Sequence, residues 1–185
     1  GAYNKSKIMS YKRLVYKGWT FRLFEISAEG HIRVSNGEEF EVPYMLRGKK
    51  TKLYMNAQLL YKREIRWLPI HRLVAWSWLG GPPHPLRFLV DHKDGNSLNN
   101  RIENLRWVTI CGNNINRTVK GGTYFCPETQ MHYPQICRFI HRRYAFATAD
   151  ECREFRKLLV NCYVNFTCRF PDLGSDYPHF KIHRY

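Results

Sequence analysis

Asp91 and His92 stand at the end of a short apolar run, Phe88-Leu89-Val90, and open a polar stretch that lasts until Leu105-Arg106-Trp107-Val108-Thr109. No other part of the chain limits the fold as tightly. Two runs of β-favouring residues on either side of a loop rich in Gly, Asn and Asp read as two strands joined by that loop. The first strand delivers Asp91-His92 to its end. The second leads into a helix expected from about Ile110, which carries Asn113 through Arg117 before Gly121-Gly122 breaks the chain. Upstream, His71-Arg72-Leu73-Val74-Ala75-Trp76-Ser77-Trp78-Leu79 reads as a short apolar helix that Gly80-Gly81-Pro82-Pro83 terminates. Trp107 is expected in the core rather than as a stacking platform, and Asp94-Gly95 is first of all a turn.

The chemistry of the polar stretch follows from its residue types. Successive strand residues point to opposite faces, so Asp91 is free to face a cation while His92 addresses a water molecule. Hydrolysing a phosphodiester requires an activated water and neutralisation of the leaving oxygen, and a divalent cation supplies the second. Mg²⁺ prefers oxygen ligands, keeps several waters and needs few protein groups. Asp91 and the side-chain oxygen of Asn113 therefore suffice as the protein's share. A neutral imidazole is a suitable general base near neutral pH.

Charge supports a polyanionic partner. Thirty Lys and Arg against fifteen Asp and Glu give a formal net charge of +15, and neutralising phosphates releases condensed counterions. With 44% hydrophobic residues a packed globular chain is expected rather than a disordered one. No apolar run approaches the ~18 residues of a membrane span. The six cysteines never occur as C-x-x-C, so a zinc site of standard spacing is not expected and the thiols read as reduced, in an intracellular protein.

The flanks carry their own patterns. Residues 18–70 are β-rich: Trp19–Ile26 alternates, His31–Val34 follows, and Lys52–Leu60 and Glu64–Leu68 read as strands around Tyr61-Lys62-Arg63, although Leu53–Leu60 also suits a helix. Beyond Gly122, strands are expected at Tyr124-Phe125, Tyr133–Ile140 and Arg143–Phe146, with His141-Arg142 as the last turn. Thr148 and Glu151 form a capping box for a helix whose inward stripe is expected to be Cys152, Phe155, Leu158, Leu159 and Cys162, opposite Arg153, Arg156 and Lys157.

The central stretch resembles the HNH, or ββα-metal, endonucleases, in the branch common among phage and intron-encoded homing enzymes. The resemblance is carried by Asp91-His92, the Asp94-Gly95 turn, Leu98–Leu105, Trp107-Val108-Thr109, Asn113 and the preceding His71–Ala75. It implies that His92 is the general base, that Asn104 braces the loop, and that Asp91 with Asn113 holds one divalent metal, Mg²⁺ or Mn²⁺. It further implies double-stranded DNA as substrate, 5′-phosphate and 3′-hydroxyl products, and the host cytoplasm as the compartment for a phage-encoded chain; monomer and homodimer both stay open. The alternative is a DNA-binding or assembly module that keeps the fold with little catalysis. Residues 121–160 resemble the ethylene-response-factor DNA-binding domain, which reads DNA with its sheet, implying contacts from Arg138, Arg142 and Arg143, although Tyr133 stands where that family usually has Trp. Arg101, Arg106, Arg117 and Lys120 are the remaining candidate DNA contacts.

The expected architecture is α+β: a β-rich module at 1–70 open to DNA contacts, the ββα-metal core at 71–120, three strands and a helix at 121–170, and an unassigned tail at 171–185.

Overall fold

The structure is a computed structural model and describes residues 9–36, 41–50, 52–116, 122–136 and 139–169. These form small sheets and three α-helices, the α+β organisation expected, in two compact units. One unit is drawn from Gly1–Pro82 and Asn96–Arg106, the other from Pro83–Gly95 and Trp107–Tyr185. The division follows neither residue 70 nor residue 120; it passes twice through the Asp91–Asn113 stretch.

The first unit holds two antiparallel three-stranded sheets. Strands β1 (Tyr11–Tyr16), β2 (Trp19–Ser27) and β3 (Ile32–Val34) pair in that order, as do β4 (Tyr44–Lys49), β5 (Lys52–Tyr61) and β6 (Glu64–Pro69). The Lys52–Leu60 segment is thus a strand, its alternation placing Ala57, Leu59 and Tyr61 inward. Tyr61 joins the two sheets: its ring stacks on Phe21 at 5.9 Å and meets Tyr16 edge-on at 5.6 Å. Helix α1 (Ile70–Val74) continues as a wider π-type turn over Ala75–Leu79, with Ile70, Leu73, Val74 and Ala75 buried. That turn is tied down by the Val15 N–H donating to Ser77 Oγ at 2.9 Å and by Trp78 Nε1 donating to the Ile26 carbonyl at 3.2 Å. Gly30, at φ +93°, lets the β2–β3 turn approach α1, because a Cβ there would lie 2.7 Å from Ile70 Cγ2.

In the second unit, β7 (Leu89–His92) and β8 (Leu105–Val108, of which Trp107 and Val108 belong to this unit) form a two-stranded sheet, and α2 (Ile110–Asn116) follows. Strands β9 (Thr123–Cys126), β10 (Met131–Ile136) and β11 (Phe139–Ile140) form a sheet with β10 central, ahead of α3 (Ala149–Arg169). Thr148 caps α3: its hydroxyl accepts the Glu151 N–H at 3.3 Å and donates to Glu151 Oε2 at 2.9 Å. Val108, Ile115, Ile136, Val160 and Val164 make one core between these elements.

Two elements differ from the sequence expectation. The last strand of this sheet is Phe139–Ile140 rather than Arg143–Phe146. Ile140 pairs with Gln135, whereas Phe146 pairs with His132, so three extra residues on the outer side swell into a bulge before Phe146 bridges back. The inward stripe of α3 is also rotated. Cys152, Val160, Val164 and Thr167 are buried, Leu158 is 65% exposed, and Arg156 turns inward to donate from Nε to the Gln135 carbonyl at 2.6 Å.

Candidate active site

Asp91 and His92 are the last two residues of β7, and both are buried, at 6% and 4% exposure. Leu89, two residues earlier, packs against the Val108–Val164 core and so anchors the strand that presents them. The chain turns immediately afterwards: the Gly95 N–H donates to the His92 carbonyl at 2.9 Å, with Gly95 at φ 76°.

Helix α2 supplies the other side of the site, and Thr109 starts it. The Gly112 N–H donates to Thr109 Oγ1 at 3.0 Å and the Asn113 N–H to the Thr109 carbonyl at 3.0 Å, an N-cap followed by the first helical bond. With Gly112 and Ile115 turned into the core, Asn113 and Asn116 lie one turn apart on a shared side of the helix. The contact to β7 is made by Asn116. Its Nδ2 lies 2.9 Å from Asp91 Oδ1, 2.9 Å from Asp91 Oδ2 and 2.9 Å from the His92 carbonyl. Sequence reasoning named Asn113 and passed over Asn116; the spacing of three on one helix was the available signal.

Asn104 belongs to the first unit. It ends a 3-10 turn, Ile102–Asn104, and its Nδ2 donates to the Asn99 carbonyl at 2.8 Å, spanning the loop from inside. The adjacent Asn100 is buried, and the Ile102 N–H donates to the Ala28 carbonyl at 2.8 Å. Among the basic candidates, Arg101, Arg142 and Arg143 are exposed and Arg106 is half-buried. The Arg142 guanidinium lies 5.9 Å from the centre of the Tyr124 ring. Arg117, Lys120 and Arg138 lie outside the described residues.

The side-chain oxygens of Asp91 and Asn113 are of the type that suits a hard cation. No group of three or more His, Cys, Asp and Glu side chains gathers among the described residues, whereas one carboxylate and one amide oxygen match the few oxygen ligands that Mg²⁺ or Mn²⁺ requires. Asp91 also arrives already hydrogen-bonded, as metal-ligating carboxylates usually do. Cys111, Cys126, Cys152, Cys162 and Cys168 are free thiols.

Residues 69–114 match the family model of the HNH endonucleases. The matched segment contains Asp91, His92, Asn104 and Asn113. Among characterised relatives, the DNA endonuclease I-HmuI of Bacillus phage SP01 is 37% identical over 100 residues, covering 50% of this chain and 55% of that protein. An uncharacterized HNH endonuclease of Acanthamoeba polyphaga mimivirus is 34% identical over 103 residues, covering 55% of this chain and 28% of that one. A solved structure describing DNA binding and cleavage by the homing endonuclease I-HmuI aligns at 29% identity over 55% of this chain and 53% of that one, with a TM-score of 0.42. The chain thus spans about half the length of the first relative and less of the second.

Proposed function

We propose that this chain is a metal-dependent DNA endonuclease of the HNH type, homing or phage-encoded in character and acting inside the cell. The observation that carries the reading is the buried Asp91-His92 pair at a strand end, bonded to the helix that bears Asn113. Asp91 and the Asn113 side-chain oxygen would hold one Mg²⁺ or Mn²⁺. When bound, such an ion neutralises charge developing on the phosphate and the leaving oxygen. In its neutral form His92 takes a proton from water at an imidazole nitrogen as the water oxygen bonds to phosphorus. The bond from phosphorus to the 3′ oxygen breaks, leaving a 5′-phosphate and, after protonation, a 3′-hydroxyl. Asn104 braces its own loop through the Asn99 carbonyl.

Duplex DNA is the substrate that the charge favours, with the net +15 supplying sequence-independent attraction. Arg101, Arg106, Arg142 and Arg143 are its proposed contacts among the described residues. Three short strands followed by one capped helix at 123–169 support reading that region as a DNA-binding module akin to the ethylene-response-factor domain.

The deciding experiment is cleavage of supercoiled plasmid with Mg²⁺ or Mn²⁺, comparing the chain with His92→Ala and Asp91→Ala. Both variants are expected to lose cleavage while keeping DNA affinity. A parent chain no more active than His92→Ala overturns the reading in favour of a DNA-binding module without catalysis.

A further inference from the structure

We propose that Asn116 is a positioning residue of the cation site: its amide fixes the Asp91 carboxylate so that one oxygen, not both, is offered to a divalent metal. The inference rests on the reading of Asp91 as a metal ligand. Asn116 Nδ2 is equidistant from Asp91 Oδ1 and Oδ2, at 2.9 Å from each, and also 2.9 Å from the His92 carbonyl. One amide nitrogen thereby ties the end of α2 to the last two residues of β7. It sets the rotation of the carboxylate and the direction in which the chain leaves His92.

An ionised carboxylate has about four lone-pair directions. An atom equidistant from both oxygens stands where a cation held by both would stand, so a metal would meet Asp91 through one oxygen at a time. That mode suits Mg²⁺ and Mn²⁺, whose octahedral shells take single carboxylate oxygens and keep waters. The residue type fits the task. A Lys or Arg in this place would hold Asp91 equally well but cancel its charge, and a second carboxylate would accept where donation is required. Asn donates two hydrogens and leaves the charge on Asp91 in place for the ion.

The test is Mn²⁺ binding to the full chain without DNA, read as loss of the free-ion signal in electron paramagnetic resonance, with circular dichroism melts as the control for folding. Asn116→Ala is expected to weaken Mn²⁺ binding about 10–100-fold, the usual cost of removing a hydrogen-bond partner from a metal ligand. Asn116→Gln, which keeps an amide donor on a longer stem, is expected to recover part of that loss. In plasmid cleavage the half-saturating Mn²⁺ concentration should rise with the dissociation constant, while the rate at saturating Mn²⁺ stays within roughly threefold of the parent. A lower melting temperature with unchanged Mn²⁺ affinity overturns the proposal, since it marks a purely structural contact. Asp91→Ala separates the two levels of inference. If it binds Mn²⁺ as the parent does, the reading of Asp91 as a ligand fails. If it loses binding while Asn116→Ala keeps it, only the role of Asn116 fails.

Discussion

Replacing Gly112 by Ala should destabilise the second unit, against the sign that helix propensity alone gives. In an exposed helix interior Gly→Ala stabilises by about 1 kcal/mol. At Gly112 the added Cβ would lie 2.7 Å from Thr167 Oγ1, 3.4 Å from Thr109 Oγ1 and 3.5 Å from Val164 Cγ1. The first contact is shorter than carbon and oxygen tolerate, and Thr167 has little room to retreat: it is 1% exposed and its hydroxyl donates to the Val164 carbonyl at 2.9 Å. Overpacking of this kind costs roughly 1–3 kcal/mol, so the net effect is a loss of up to about 2 kcal/mol. Urea unfolding followed at 222 nm, where the 21-residue α3 contributes strongly, reads the change. Thr167→Ala supplies the control. Alone it loses a buried hydrogen bond worth about 1 kcal/mol; combined with Gly112→Ala it opens the space the new methyl needs, so the pair should be at least about 1 kcal/mol better than additive. A Gly112→Ala chain more stable than the parent, or strict additivity, would refute close packing of α2 on α3.

Three further outcomes are expected. Lys62 and Arg63 both adopt positive φ, 49° and 68°, in the two-residue turn between β5 and β6; replacing them with Asn-Gly should stabilise the first unit by about 1 kcal/mol in a thermal melt, and no gain would argue against that turn. Burial holds the His141 imidazole below its ordinary pKa, so the unfolded chain binds the proton more readily; stability should be full above the ordinary histidine range and fall as pH drops through and below it, and His141→Gln should flatten that slope in urea titrations. Arg142→Ala and Arg143→Ala should each weaken DNA binding and reduce the dependence of log K on log salt by about one unit, with no change in sequence preference; an unaltered slope removes that arginine from the contact set.

The strand end and the start of α2 were legible in sequence because local rules agree there: a short apolar run, a turn glycine at 95, and a second β-favouring run that stops just before Ile110. Other features left no such mark. Strand β4 is exposed at every position from Tyr44 to Lys49, so no inward face imprinted an alternation on it. In β1 the register shifts between Arg13 and Val15, which breaks the two-residue period where Leu14 turns inward. The phase of α3 was misjudged because apolar residues surround most of its circumference. Val160 and Val164 face the core while Leu158 and Cys162 face out, and periodicity alone does not choose between the stripes. The role of Asn116 depends on where β7 comes to rest beside α2, which is a matter of tertiary placement.

The two-unit division bears on what can be moved from one protein to another. The segment matched as HNH, residues 69–114, takes α1 and the loop around Asn104 from the first unit and β7 with most of α2 from the second. Excised at those limits, α1 would lose the sheets it packs on, and α2 would lose both Asn116 and the Val160–Val164 face of α3 that completes its core. The matched segment is therefore not expected to fold as a block. Grafting this site into a new host would require transplanting residues through α3, and recombination at the ends of the matched segment should yield chains that carry the residues without the site.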